Sequence, residues 1–310
     1  ILSSNRTGMT AEDLIDEAQM ELTTWEGLIS ATGDALAPEK SYWYLVDVGP
    51  DGKYVPKSKQ PGDLYLHNQG RPELIERLDV TEARETLGIW SRPDGSMKDE
   101  VAYLKRKALK WADAVRTKHI NPTEAWYSVN HTIMKTIEYP LAATSISKSD
   151  MQDIMRPILQ AALPKARIQK HFPRKLVFGT LASEGFGVYD PSTNQLIDHL
   201  HSIIKHSHMD SPSHDTQVQN MELVQCYVGT QKPFWDMPFE KYGCLAPPGW
   251  MAFTWQELST TSLSLKGPLA TLPPCRAGDM SITEAWVAQN MDPSQLQLLN
   301  AVRQIGRAHV

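Results

Sequence analysis

Apolar residues Leu14, Ala18, Leu22, Trp25 and Leu28 recur every three or four positions among polar and acidic neighbours, which predicts an amphipathic helix over about 10–31. Thr10 can cap its start, and acidic residues in the first turn suit the positive end of the helix dipole. Gly33 can adopt the positive φ that ends a helix, and Pro38 blocks its resumption. The aromatic and β-branched run at 42–48 then predicts a strand. After a turn at Gly49-Pro-Asp-Gly52, the segments 54–55, 63–67 and 74–78 predict short strands among Gly, Pro and Asn loops. Residues 87–90 and the turn Arg92-Pro-Asp-Gly95 close this region.

Beyond Met97 the pattern becomes helical. Helices are predicted at 98–118, 123–137 and 147–162, the third capped by Ser147 or Ser149, separated from the second by Pro140 and kinked at Pro157. Further helices at 192–207, 214–228, 249–259, 281–290 and 293–304 alternate with proline-bearing loops. The expected fold class is α+β, a helix with a small antiparallel sheet followed by a mostly helical remainder. The expected regions are 1–96, 97–188 and 189–304.

Charge changes this picture because it is unevenly spread. The net charge of −5 speaks against nucleic acid, and up to Pro50 nine acidic residues face only Arg6 and Lys40. Between Arg156 and Lys175, however, Arg156, Lys165, Arg167, Lys170, Arg174 and Lys175 meet no acid in the sequence. Lys105, Arg106, Lys107, Lys110, Arg116 and Lys118 make 98–118 basic as well. The two segments are candidates for a surface that tracks phosphates; scattered solvated lysines are the competing explanation. Cys226, Cys244 and Cys275 are odd in number and far apart, which suits neither a disulfide framework nor a zinc ribbon. No apolar run is long enough to span a bilayer, so no membrane partner is expected.

Several segments together resemble the reverse transcriptases of non-LTR-type retroelements. Ala31–Asp47, with its glycine turn and Lys40 ahead of an aromatic strand, resembles the motif that closes the palm. Glu85-Thr-Leu-Gly-Ile-Trp90 resembles the Leu-Gly hairpin of the primer grip, and Tyr127–Leu141 the start of the thumb. Gly179–Val188, Gly243–Trp255 and Arg276–Trp286 are similar to downstream blocks of such proteins. The resemblance implies that 1–96 is the C-terminal part of a palm, 97–188 a thumb and 189–304 a helical continuation. It implies an RNA template and a DNA primer as partners and a nuclear or cytoplasmic, intracellular location. Lys40 would act as general acid or electrostatic partner of the leaving pyrophosphate. Leu87 and Gly88 would touch the primer strand, and Lys105, Arg106, Lys110, Lys165, Arg167, Lys170, Arg174 and Lys175 would bind backbone phosphates.

Such enzymes hold catalytic Mg2+ on a Tyr/Phe-x-Asp-Asp hairpin, and this sequence contains no Asp-Asp pair. The expectation is therefore a fragment that lacks the hairpin, needs no cofactor of its own and does not polymerise alone, with Mg2+ belonging to the complete enzyme. Ile305-Gly-Arg-Ala-His-Val310 matches one reading frame of a short-read sequencing adapter, so 305–310 is expected to be an assembly scar. The alternative is a non-catalytic helical module that binds nucleic acid or acts as a scaffold. A rival signal, His199, His201, His206, His208 and His214 with Asp210 and Asp215, has metal-ligating residue types. A helix over 192–207 puts His199 and His201 on different faces, which favours a solvated loop. Trp111 and Trp126 are expected in a helical core rather than stacked on bases.

Overall fold

The computed structural model describes residues 10–48, 54–55, 62–68, 71–229, 232–246, 249–265 and 282–292. The predicted turn at 49–52, the helix at 293–304, the block before Ile282 and the segment 305–310 lie outside them. The fold is α+β and mostly helical, in two compact units: residues 1–83 with 92–94, and 84–91 with 95–310.

In the first unit, α1 (Ala11–Ala31) starts at a capping box in which the Thr10 hydroxyl accepts from the Asp13 N–H while the Asp13 carboxylate accepts from the Thr10 N–H at 2.8 Å. The Thr10 N–H, and the Thr10 hydroxyl donating to the same carboxylate, hold the Asp13 carboxyl below its ordinary pKa. The helix stops as the glycine predicts: Gly33 has φ 87°, with Gly33 N–H donating to Ser30 O and Asp34 N–H to Ile29 O. Strands β1 (Tyr42–Tyr44), β2 (Asp47–Val48), β3 (Tyr54–Val55), β4 (Tyr65–Asn68), β5 (Arg71–Leu74) and β6 (Glu76–Leu78) follow.

These strands form separate two-stranded pairs rather than one sheet. β2–β3 and β4–β5 are antiparallel, whereas β1 and β6 pair in parallel. Ile15, Leu64, Leu66 and Ile75 form the core, flanked by Ala18, Leu22, Leu36 and Trp43. The buried stripe of α1 is thus centred on Ile15, and Leu28 lies about 140° round the helix from it at roughly 100° per residue. That offset explains why Leu28 is exposed despite its spacing, and Trp25, about 80° round from Ile15, lies at the edge of the stripe and is exposed as well. The carboxamide of Gln19 pairs with both the N–H and the C=O of Tyr65, and Glu26 accepts from His67 N–H, so α1 side chains close the outer edge of β4.

The second unit begins with a hairpin, β7 (Arg84–Thr86) and β8 (Ile89–Ser91), which belongs with the helices rather than with the other strands. Its helices are α2 (Lys98–Thr117), α3 (Pro122–Ser128), α4 (Met134–Glu138), α5 (Lys148–Lys165), α6 (Arg174–Val177), α7 (Pro191–Ser207), α8 (Pro212–Val228), α9 (Phe239–Tyr242), α10 (Trp250–Ser259) and α11 (Ile282–Ala288). The predicted continuous helix at 123–137 is interrupted by a π-helical turn at Val129–Ile133. α2 and α5 run parallel: Lys105 reaches Asp150 and Asp153, and Lys165 reaches Lys118 O, so the sequence offset stays near-constant along the pair. Between them lies the main core, including Leu104, Ala108, Val129, Ile137, Ile154, Ile158 and Leu163. Each fully buried Leu or Ile contributes about 1.5–3 kcal/mol relative to an exposed one. Trp111 and Trp126 pack against this core. A second core around Phe234, Leu245 and Trp255 joins α8, α9 and α10.

Residues 97–188 and 189–265 are stitched together by buried polar contacts from α7. Gln195 accepts from Ile146 N–H at 3.1 Å and donates to Ile146 O at 2.9 Å. His199, fully buried, places Nε2 3.1 Å from Leu141 O and 2.9 Å from Thr144 O. Two carbonyls can only accept, so Nε2 carries the hydrogen, while Nδ1 lies 2.8 Å from the Thr254 hydroxyl, which also reaches Trp250 O at 2.8 Å. The ring also lies against Trp250, and burial drives its pKa from 6.5 down to about 4.

That depression makes a pH signature. The unfolded chain binds a proton on His199 below about 6.5 while the folded chain does not until about 4, so the stabilisation is complete above 6.5 and is lost as pH falls toward 4. The gap corresponds to ~3 kcal/mol. His199→Gln should therefore narrow the stability difference between pH 7 and pH 4.5 in urea melts, and NMR titration should find the wild-type imidazole neutral at pH 5. A variant whose loss is the same at both pH values would rule this out.

Candidate nucleic-acid interface

The hairpin turn consists of two residues, Leu87 and Gly88, both with positive φ (51° and 81°). A two-residue turn of this hand matches the twist of the flanking strands, and glycine meets its demand at the second position. Leucine at the first does not: a non-glycine residue in the left-handed region costs about 1–3 kcal/mol. Leu87 is nevertheless 85 % exposed, so packing of its side chain cannot offset that strain.

What fixes the turn is tethering from below. The Tyr139 hydroxyl donates to Leu87 O at 2.6 Å, and its ring lies so close to Gly88 that a Cβ there would meet Cε1 at 3.3 Å. From the first turn of α2, the buried Glu100 accepts the Trp90 N–H at 2.8 Å. Burial pushes the Glu100 carboxyl up from its ordinary pKa, Glu85 adds to the rise, and the Trp90 bond opposes it.

The predicted cations fall into different environments. Lys105 is compensated, 3.3 Å from Asp150 and 3.4 Å from Asp153, acids 45 and 48 residues away in sequence. Arg156, from the stretch without acids, pairs with Asp153 at 2.8 Å. Arg106 and Lys107 lie over the Tyr103 ring at 5.6 and 5.1 Å. Lys110 is exposed, about 140° round α2 from Lys105, so the two do not share a face. Lys165 donates to Lys118 O at 2.9 Å, which brings the two basic segments together at the C-terminal ends of α2 and α5. Arg167 ends α5 in the left-handed region (φ 60°), with Ile168 N–H returning to Leu163 O at 2.8 Å. Arg167, Lys170 and Lys175 are exposed and make no ion pair among the described residues. Arg174 sits partly buried in a cleft of about 360 Å³ shared with Arg156, Phe178 and Asp190, one guanidinium nitrogen donating to Lys170 O and another, Nη1, buried without a partner.

The hairpin therefore stands at the N-terminal end of α2 and the Lys165–Lys170 cations at its C-terminal end. The rise from Glu100 to Lys118 is about 27 Å, roughly eight base steps of a nucleic-acid strand. In the first unit Lys40 is exposed on a 3₁₀ turn, Pro38–Lys40, just before β1.

The histidine group does not converge. His199 is the buried core residue described above, and His214 lies on α8 rather than in a loop, its Nδ1 3.1 Å from His206 O. Among the described residues no three His, Cys, Asp or Glu side chains gather where they could hold a metal. With no adjacent aspartates in the sequence either, the residues present do not fit the Mg2+ pair that the resemblance implies. No helix among the described residues is long and apolar enough to cross a membrane. Compared with protein-family models, curated proteins and solved structures, the chain gives no match.

If Leu87 is held against its conformational preference, a residue suited to this turn should relieve the strain. Leu87→Asn creates the Asn-Gly pair favoured in such turns and should raise stability by about 1 kcal/mol in urea melts. A fall in the midpoint would show that the leucine side chain stabilises the fold after all.

Proposed function

We propose that the helical unit is a thumb-like module that grips the backbone of a primer-template duplex, as part of a retroelement-type RNA-directed DNA polymerase. The observation that carries this reading is the Leu87–Gly88 turn, an exposed leucine kept in a strained conformation by Tyr139 and Glu100. Strain without a packing return is typical of residues retained for contact. The cations at the far end of the α2–α5 pair support it, because a duplex laid along these helices would meet the hairpin at one end and Lys165, Arg167 and Lys170 at the other. In the same reading Lys40 is the lysine that would assist pyrophosphate departure once the metal-binding aspartates are supplied from outside this sequence.

Fluorescence anisotropy with a labelled RNA/DNA hybrid tests the proposal on the full chain. Binding should weaken steeply with salt, and each of Arg167→Glu and Lys170→Glu should weaken it for all sequences alike and reduce the logarithmic salt slope by about 1. Leu87→Asn should weaken binding while leaving the salt slope unchanged. Hybrid binding that is absent at low salt, or indifferent to all three substitutions, would refute the reading.

A further inference from the structure

The π-helical turn at Val129–Ile133 has no proline or glycine to explain it. It is held from within and from outside: the Thr132 hydroxyl donates to Ser128 O in the turn itself, and the Trp111 indole N–H of α2 reaches both Ser128 Oγ (3.1 Å) and Thr132 Oγ1 (3.0 Å). Such bulges recur at functional sites because one extra residue in the turn re-aims the side chains around it. Here they are Asn130 and His131, and both line an open cleft of about 630 Å³, a size suited to a small ligand.

The walls of that cleft are aromatic. Trp126 meets Phe186 edge-on at 5.7 Å, and Phe186 in turn stacks on Phe172 at 4.9 Å. Phe186 is placed there by the glycine-rich loop 179–188, which folds back so tightly that a Cβ on Gly185 would come within 2.3 Å of the Gly179 carbonyl. Phe186 N–H donates to Leu176 O, and Gly187 N–H to Gly179 O. At the rim Tyr127 and His131 stack on each other at 4.1 Å with their outer faces in water, Tyr127 being 63 % exposed. Leu181, also lining the cleft, is 77 % exposed. No carboxylate is among the lining residues, and the exposed Arg167 lies between Ala166 and Ile168, which both line it.

We propose that this cleft holds an unpaired nucleobase of a single-stranded extension, a reading that rests on the backbone-binding role proposed above. Tyr127 and His131 offer a ready stacking platform for the base, and Asn130, with one donor and one acceptor group, faces the space its edge would occupy. Arg167, with Lys170 nearby in sequence, supplies the charge complement for the phosphates on either side. An apolar peptide would use the hydrophobic walls but would leave the stacked Tyr127–His131 pair and the Asn130 carboxamide without a matching group.

The test compares two fluorescein-labelled 12-residue strands on the full chain, oligodeoxythymidine and an abasic strand with the same backbone. The thymidine strand should bind about tenfold more tightly, and Tyr127→Ala should abolish that preference while leaving abasic-strand affinity unchanged. His131→Ala should reduce the preference in the same direction; both residues are exposed, so neither change threatens the core. Equal affinity of the wild type for the two strands, equal weakening of both by Tyr127→Ala, or no binding of either strand would overturn the base site. The hybrid-binding measurement with Arg167→Glu separates the two readings: salt-dependent hybrid binding without any base preference removes the base site alone, whereas loss of hybrid binding removes the backbone role.

Discussion

The close parallel seam between α2 and α5 is the constraint on which the helical unit depends. It is possible because the facing positions are small: Ala108 and Ala112 on one helix and Ala161 and Ala162 on the other are all buried. Neighbouring alanines on α5 serve different contacts, Ala162 in the main core and Ala161 with Ala112 and Val115 beside it. Helix separation follows side-chain size at the crossing, so these residues fix how near the two axes come. Everything proposed for the surface is hung on that pair. Glu100 at one end anchors the hairpin, Trp111 midway holds the π-helical turn, and Lys165 at the other end joins the two basic segments.

Apolar packing alone would leave the elements around this seam free to slide, and buried polar contacts remove that freedom. Gln195 reads the N–H and C=O of Ile146 together, much as Gln19 reads Tyr65 in the first unit. His199 satisfies two carbonyls and a hydroxyl at once. Such groups contribute modestly when bonded and cost more when left unpaired, so they select one arrangement among many of similar apolar burial. They also explain why regions that look separable at residue 188 fold as a single unit.

The readable parts of the sequence were those governed by neighbours in the chain. The helix stop at Gly33, the helix of 98–118, the cap at Ser147 and the core positions of Trp111 and Trp126 follow from local spacing and from residue type. The parts that were not readable depend on partners far away. Lys105 looked free because Asp150 and Asp153 lie on another helix, and Arg156 seemed to stand in an acid-free stretch because Asp153 is just outside it. The parallel pairing of β1 with β6 and the transfer of the 84–91 hairpin to the helices are tertiary choices that strand propensity does not encode. The cleft is not legible locally because its walls come from three segments, although Tyr127 and His131, four residues apart on a helix, are a local signal of a stacked pair.

Backbone strain is a further property that these features share. Four non-glycine residues among those described have left-handed φ: Leu87, Arg167, Glu184 and Asn290. Asparagine tolerates that region through its short polar side chain, but Leu, Arg and Glu do not. Those three lie in the hairpin turn, at the end of α5 beside the cleft, and in the loop that delivers Phe186. Each is a place where glycine would satisfy the backbone more cheaply, and each instead keeps a long side chain in solvent. A fold under selection for stability alone would lose such residues readily, since relieving the strain requires a single substitution. Leu87 marks the hairpin, Arg167 the cationic end of α5 and Glu184 the loop behind the cleft as three places where the backbone is held against the preference of the residue.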